Sequence, residues 1–252
     1  MQHFFLLFLP GIVGGMINAM AGGGGIILYP GLLVGGLSPL AANATASFVA
    51  LAGSTTSNYA ARKQLKHLPR IYLWLAIPSL LGSMIGASFL VNTEPATFEN
   101  IAPWLVLSAV FLLALQSRIH RWLEIQKKRR KLHWHTMPMI YIAGFCLAIY
   151  GGFFGVGYGL MMLALLGFTS LKDIHQMNAV KNFCGIMMSL VATIYFAHAG
   201  LLNWRAGLIM ATGAAIGGFV GVRLAQRISA HIVHNLTVAI GLIITIILLV
   251  KS

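Results

Sequence analysis

The sequence predicts an all-α polytopic membrane protein of about eight transmembrane helices, arranged as two homologous four-helix halves. Apolar residues make up 58% of the 252 residues, and charged residues make up only 8%. Because a soluble domain carries about 25% charged residues, this chain lacks the side chains for a surface in water. Its apolar residues instead form long runs without charge, which indicate a bilayer.

Eight apolar segments are candidates for the roughly 20-residue helix that crosses a membrane. They are 4–36, 43–61, 71–91, 101–117, 138–168, 178–198, 204–224 and 232–250. Segments 4–36 and 138–168 are too long for one straight crossing, and a glycine cluster interrupts each of them. We therefore predict that the first helix of each half is broken and continues as a shorter helical piece.

An internal repeat relates the two halves at a constant offset of 135 residues. The matched positions include Gly22 with Gly157, Gly24 with Gly159, Asn43 with Asn178, Gly82 with Gly217, and Gly86 with Gly221. Internal repeats are a common basis of transporter architecture. We predict a first transmembrane repeat over 1–117, a basic cytoplasmic linker over 118–137 and a second repeat over 138–252.

The positive charge is concentrated in loops. Of 17 Lys and Arg residues, 11 lie within 62–70 and 118–131, between apolar runs, where the positive-inside rule places cytoplasmic loops. This distribution argues against a nucleic acid as partner. It favours a bilayer with an anionic inner leaflet, on which 118–137 either lies as a short helix or passes as a plain linker.

The charge pattern also predicts a topology for a multi-pass protein of a cytoplasmic membrane. If every segment crosses once, both termini are cytoplasmic and the two repeats run parallel. In that scheme Arg223 and Arg227 fall on the outside, against the positive-inside rule. If a glycine break instead turns the chain back, each half has an odd number of crossings and the repeats are inverted.

The two glycine clusters are the first candidate site. A break in a membrane helix frees backbone groups that lipid cannot satisfy, so the break must be buried in protein or line a cavity. Freed N–H groups at a helix N-terminus suit anions. The candidates are Gly22, Gly23, Gly24, Gly25, Gly155, Gly157 and Gly159. Glycine also allows close helix packing, the role expected for Gly82, Gly86, Gly217, Gly218 and Gly221.

Two polar clusters follow the breaks. They are Asn43, Thr45 and Ser47 in the first half, and Asn178, Lys181 and Asn182 in the second. Each leading asparagine either caps its helix or lines a site. Lys181 lies inside a segment and far from a basic loop, which makes it a functional candidate by default, although a lysine can also snorkel to the interface. We predict that both clusters and both breaks contact a small anion near the membrane midplane, between the halves.

Groups for other chemistry are scarce. The four acidic residues lie in loops or at segment ends, so neither a carboxylate proton relay nor a buried cation site is predicted. They are Glu94, Glu99, Glu124 and Asp173. The histidines, Cys146 and Cys184 show no metal-ligand spacing, and no Gly-x-Ser-x-Gly elbow occurs. We expect no catalytic residue, metal, cofactor or enzymatic activity.

Several motifs resemble the TauE/SafE sulfite exporter family of membrane proteins, in order and spacing, over nearly the whole chain. They are Ala21 to Gly25 followed by Pro30, Ala42 to Ser47, Thr93 to Phe98 with Pro103 to Leu105, Tyr150 to Gly155 with Gly157 and Gly159, Asn178 to Asn182, and Gly200 with Trp204. The resemblance implies export of small sulfur-containing anions, such as sulfite or sulfonates, across a bacterial-type inner membrane without enzymatic activity. Ile26 and Tyr158 depart from the family pattern beside the glycine runs.

The residues predict a secondary transporter of a small anion, and the family resemblance implies that it exports a small sulfur-containing anion. The alternative is a non-transporting membrane accessory subunit that docks a cytosolic partner through the basic segment 118–137. The sequence leaves the particular anion, the coupling ion and the oligomeric state open.

Overall fold

The computed structural model describes residues 2–66, 68–129, 137–171 and 173–224. Within these ranges every regular element is an α-helix. The helices are α1 (Gln2–Ala21), α2 (Gly25–Val34), α3 (Pro39–Ala60), α4 (Arg62–Lys66), α5 (Arg70–Leu73), α6 (Ala76–Val91), α7 (Pro95–Arg129), α8 (Met137–Phe153), α9 (Tyr158–Gly167), α10 (Ile174–His198) and α11 (Trp204–Leu224). The predicted segment 232–250 and the C-terminus lie outside the described residues.

Five stretches of helix are long and apolar enough to cross a membrane. They are Phe4–Ala21, Arg70–Val91, Pro95–Leu115, Ile174–His198 and Trp204–Leu224. The prediction of an all-helical, multi-pass membrane protein is therefore confirmed. Helix α3 also has 22 residues, but it carries several Asn, Ser and Thr side chains and packs between α10 and α11.

The first glycine cluster ends α1 and reverses the chain. Gly22 has a φ of +82°, a left-handed conformation that glycine adopts without penalty, and its N–H donates to the carbonyls of Ile17 and Asn18. This is the usual way in which a glycine closes a helix. Helix α2 then returns alongside α1, because Gly14 lies against Leu28 while Gly31 lies against Pro10.

The second glycine cluster repeats this geometry. Gly157, the partner of Gly22 in the repeat, has a φ of +87°. Helix α9 returns alongside α8, since Gly151 lies against Tyr158 and Gly144 against Leu165. The predicted sequence of helix, break and shorter helix is thus confirmed in both halves. The prediction that each of these segments crosses once is wrong, because each break turns the chain back into a hairpin.

The remaining helices fall into two sets of opposite direction. Helices α1, α3 and α11 run one way, and α6, α8 and α10 run the other way. The contacts within the first set are Gly217 on Ile12, Gly221 on Met16, Gly207 on Phe48 and Gly218 on Gly53. Those within the second set are Gly82 on Phe145, Gly86 on Ile149, Ser79 on Cys184 and Ser83 on Met188.

The hydrogen bonds between α1 and α10 show that the two sets are antiparallel. Asn178 donates to the carbonyl of Met20, whereas Lys181, three residues later, donates to the carbonyl of the earlier residue Asn18. Helices related by the 135-residue offset, such as α1 with α8 and α3 with α10, therefore run in opposite directions. The sequence left parallel and inverted halves open, and the two reversals give these matched helices opposite directions.

Both basic segments lie at one end of the bundle, which we call the basic end. Helix α3 finishes there, before 62–66. Helix α7 starts at the opposite end, where α6 finishes, passes the breaks with Ala109 against Gly157 and Leu113 against Gly23, and continues to Arg129. The first part of the predicted linker, 118–129, therefore extends a membrane helix.

The start of α1 lies at the end opposite the basic end, because α1 and α3 run in the same direction. We predicted that the N-terminus and the basic segments are all cytoplasmic. These predictions are incompatible, because the start of α1 and the basic segments lie at opposite ends of the bundle. Arg223 lies near the end of α11, and α11 also runs toward the basic end. The conflict that the one-crossing scheme created for Arg223 is thus removed.

The glycines expected to permit close helix packing do so. A Cβ atom at any of them would strike the backbone of a neighbouring helix. Gly82 and Gly86 of α6 pack against α8. Gly217 and Gly221 of α11 pack against α1, and Gly218 of α11 packs against α3. Close backbone approach of this kind supports helix association where lipid removes the hydrophobic driving force.

Candidate functional site

The two glycine breaks meet inside the bundle. The α1–α2 hairpin and the α8–α9 hairpin enter from opposite ends, because α1 and α8 run in opposite directions. Their tips touch through backbone atoms: a Cβ on Gly22 would lie 2.6 Å from the carbonyl carbon of Gly159, and a Cβ on Gly159 would lie 2.8 Å from Cα of Gly22. Two elements far apart in sequence therefore form one centre.

A small cavity lies beside the touching tips, with a volume of about 50 Å³ as seen by the centre of a water molecule. It brings together eight of the 13 predicted site residues. They are Gly22, Gly25, Asn43, Ser47, Gly155, Gly159, Lys181 and Asn182. The cavity thus joins both breaks to the polar clusters on α3 and α10.

Lys181 is the charged group of this cavity. It is only 2% exposed, so it does not snorkel to a membrane interface. Its Nζ donates to the backbone carbonyl of Asn18 near the end of α1. In the part of the chain whose side chains are described, the three carboxylates, Glu94, Glu99 and Asp173, are all exposed. Lys181 is therefore a buried cation held by a carbonyl rather than by an acid.

Backbone N–H groups of residues at the two breaks are left without a partner. Gly25 begins α2, Gly155 lies in the second break, and Gly159 is the second residue of α9. Within the described structure, the amides of these three residues donate to no acceptor. All three residues line the cavity. Free N–H groups of this kind can donate hydrogen bonds to an anion that lies beside the charge of Lys181.

The two repeat-related asparagines bridge the halves and do not cap their helices. Ser38 caps α3 and Asp173 caps α10. Asn43 instead donates its Nδ2 to the carbonyl of Phe153 at the end of α8, at 2.8 Å, and Asn178 reaches the carbonyl of Met20 on α1, at 3.4 Å. Each asparagine thus satisfies a carbonyl that the break in the other half leaves unpaired.

Five predicted site residues lie outside the cavity lining. Gly23 and Gly24 lie in the first break, and Gly157 lies against Ala109 of α7. Asn178 holds the end of α1, as described above. Thr45 is fully buried and accepts a hydrogen bond from the backbone N–H of Asn203, at 3.1 Å. The structure thus gives Thr45 a role in joining α3 to the start of α11.

The cavity also contains residues that sequence reasoning missed. They are Asn18, Ser54, Tyr158, Met188 and Ser189, together with apolar positions such as Leu28 and Val156. The internal repeat could have indicated some of them. Ser54 and Ser189 match at the 135-residue offset, as do Ser47 with Asn182 and Ala46 with Lys181, and all of these residues line the cavity. Asn18 has no polar counterpart, because its partner in the repeat is Phe153.

The residues present can bind an anion and offer little for other chemistry. Within the described ranges, no three His, Cys, Asp or Glu side chains are grouped to hold a metal ion. The polar groups that line the cavity are amides, hydroxyls and one ammonium. The amides and hydroxyls can donate or accept hydrogen bonds, whereas the ammonium only donates, so the one charged lining group favours an anion.

A buried polar cavity between two broken membrane helices is the arrangement of a membrane transporter. The chain belongs to the sulfite exporter TauE/SafE family, which it matches over residues 7–249. It is 28% identical to the probable membrane transporter protein YfcA of Escherichia coli strain K12, over 98% of this chain and 90% of that protein.

Two further relatives have the same breadth of similarity. A probable membrane transporter protein of Haemophilus influenzae is 27% identical over 95% of this chain and 92% of its own length. The probable membrane transporter protein ORF9 of a Sinorhizobium species is 28% identical over 96% of this chain and 91% of its own length. No solved structure matches the chain.

Proposed function

We propose that the protein is a secondary transporter that exports small sulfur-containing anions, such as sulfite or sulfonates, across the cell inner membrane, and that it is not an enzyme. The observation that carries this proposal is the cavity where the two glycine breaks meet. It combines the buried ammonium of Lys181 with unpaired N–H groups from both breaks. Membership of the sulfite exporter family supports the choice of anion.

The proposal includes an architecture of two inverted halves. Helices matched by the repeat run in opposite directions, and α1 packs on α11 as α8 packs on α6. Repeats of inverted topology are related by an axis in the membrane plane. Because the two equivalent breaks touch at Gly22 and Gly159, they lie close to that axis. The anion site is then near the midplane of the bilayer.

The proposed orientation follows from charge. The positive-inside rule places the basic end of the bundle, with 62–66 and 118–129, in the cytoplasm. The α1–α2 hairpin then enters from outside and the α8–α9 hairpin enters from the cytoplasm. The start of α1 is outside in this arrangement. Each hairpin is thus placed to close one side of the site.

The cavity volume supports a small cargo. A space of about 50 Å³ for water centres holds a few water molecules, since one occupies roughly 10–15 Å³ in this measure. A tetrahedral or pyramidal oxyanion of sulfur has a similar size. A longer organic tail would require the hairpins to separate.

The scarcity of buried carboxylates supports export without a coupling ion. An inside-negative membrane potential favours exit of an anion by about 2.3 kcal/mol per charge per 100 mV, which is enough to drive efflux. In proteoliposomes, we expect anion efflux to follow an imposed voltage. Efflux that responds to a pH gradient but not to voltage would contradict this part of the proposal.

The decisive test of function is a counterflow screen with purified protein in liposomes. Sulfite, thiosulfate, short sulfonates and carboxylates are each loaded inside, and uptake of a labelled anion is followed against protein-free liposomes. We expect accelerated exchange with sulfite or a sulfonate. If no anion exchanges and the chain instead co-purifies with a cytosolic protein through 118–137, the accessory-subunit alternative is correct.

A further inference from the structure

The charge of the cavity can be counted from its lining. Among the lining residues that the structure describes, Lys181 is the only charged one. Helices α1 and α3 contribute Asn18, Asn43, Ser47 and Ser54, which do not titrate. Among the described residues, the titratable groups beside Lys181 are the hydroxyl of Tyr158 on α9, which also lines the cavity, and the buried thiol of Cys184, three positions later on α10. Both are neutral in their ordinary protonated forms.

The helix ends at the cavity contribute little net charge. A helix C-terminus acts as roughly half a negative charge, and an N-terminus as roughly half a positive charge. Each break brings one C-terminus and one N-terminus to the same place: α1 with α2, and α8 with α9. Their opposite partial charges cancel to a first approximation. In its protonated form, Lys181 therefore gives the empty site a net charge of one positive charge.

We propose that the site selects monoanions, so that sulfite is taken as hydrogen sulfite and not as the dianion. This inference rests on the proposed function and specifies its substrate class. A monoanion pairs with the ammonium of Lys181 and leaves a neutral, buried site. A dianion leaves one negative charge without a partner away from water, which is costly. The loaded site then moves no net charge, and the empty site carries the charge of Lys181 back.

The test compares the affinities of sulfite and methanesulfonate for the purified protein, by isothermal titration calorimetry across the second ionisation of sulfurous acid. Methanesulfonate stays a monoanion throughout, so its dissociation constant reports any change in Lys181 itself. We expect the dissociation constant of sulfite, divided by that of methanesulfonate, to rise about tenfold per pH unit above the pKa of that ionisation, because hydrogen sulfite is depleted. A ratio that stays constant with pH would overturn the inference.

The repeat supplies a matched variant. Ala46 occupies the position equivalent to Lys181 and also lines the cavity. Ala46→Lys should double the positive charge and shift the preference to the dianion, so that sulfite binds more tightly at alkaline pH than at acidic pH. A variant that is folded, as judged by its melting temperature, and still prefers acidic pH would contradict the inference.

The outcomes separate this inference from the proposed function. Failure of both anions to bind the wild-type protein at any pH would overturn the proposed function, and the inference with it. Binding of both anions with a constant ratio would overturn only the inference. Net efflux of one elementary charge per anion, with voltage-independent exchange of anion for anion, would support both.

Discussion

The two glycine breaks have the same backbone geometry and different chemistry. Gly22 and Gly157 adopt nearly the same left-handed conformation, with φ values of +82° and +87°, and each returns the chain alongside its own helix. The α10 helix then brings Lys181 to the first break, whereas the equivalent position on α3 is Ala46. The shared geometry builds the cavity, and the unequal charge defines what the cavity can hold.

The asparagines show the same contrast at smaller scale. Asn43 makes one short bond, to Phe153. The Nδ2 of Asn178 donates both to the carbonyl of Met20 and to the carbonyl of Ile174 on its own helix. The end of α1 is thus held by Lys181 and Asn178 together, and the end of α8 by Asn43. A duplicated scaffold can keep its fold in both copies while one copy alone acquires the charged group.

The largest effect should come from removing the charge. Lys181→Ala should abolish anion transport in proteoliposomes, since losing one partner of a buried charge pair costs at least about 2 kcal/mol, or roughly thirtyfold in affinity. Lys181→Arg keeps the charge and should retain part of the activity. Because Lys181→Ala also removes the hydrogen bond to the carbonyl of Asn18, the melting temperature of each variant is measured as well, and transport is compared per folded protein. Normal transport by Lys181→Ala would exclude this residue from the site.

A substitution at Gly22 should break the contact between the hairpin tips, whereas the same substitution at the neighbouring Gly23 should leave it intact. Gly22→Ala places a side chain on a left-handed residue and against the backbone of Gly159, which should cost roughly 2–5 kcal/mol of stability. A Cβ on Gly23 would meet its nearest neighbour, Leu113, at 3.6 Å, so Gly23→Ala is the matched control.

Thermal unfolding of the purified variants checks this comparison. We expect a clearly lower melting temperature and little transport for Gly22→Ala, and nearly wild-type values for Gly23→Ala. Equal melting temperatures for the two variants would show that the tips do not depend on the close contact.

The asparagines provide the next comparison. Asn43→Ala should destabilise the protein by about 1–2 kcal/mol, because it leaves the carbonyl of Phe153 buried without a donor. Asn178→Ala should cost less, since its bonds are longer and Lys181 still holds the end of α1. The difference is measured as the change in melting temperature. A larger loss for Asn178→Ala would reverse our view of which hairpin depends more on its asparagine.

The fold could be predicted from composition and periodicity as far as helices and breaks, and no further. The predicted segment 204–224 begins where α11 begins, at Trp204, because the polar Asn203 precedes it. The reversals at Gly22 and Gly157 could not be predicted, since a glycine cluster allows both a kink and a turn. That choice depends on contacts such as Gly14 with Leu28, which join residues on either side of the break.

The candidate site shows a similar limit. The repeat and the lysine inside an apolar segment led to the prediction that Lys181 and both breaks form one site. The structure places Lys181 and residues of both breaks around one cavity, and their role in binding an anion stays a prediction. Residue type alone could not separate Ser47 from Thr45, two residues apart on α3. Successive helical positions point in different directions, so Ser47 faces the cavity and Thr45 faces Asn203.

The smallest effects should distinguish those two hydroxyls. Thr45→Val removes the acceptor for the N–H of Asn203 at nearly constant volume and should lower stability by about 1 kcal/mol, without changing the affinity for the anion. Ser47→Ala removes a hydroxyl from the cavity lining, so it should weaken anion binding severalfold and leave the melting temperature nearly unchanged. Calorimetry and thermal unfolding of both variants separate the two cases. If Thr45→Val weakens binding as much as Ser47→Ala does, the site extends past the cavity toward α11.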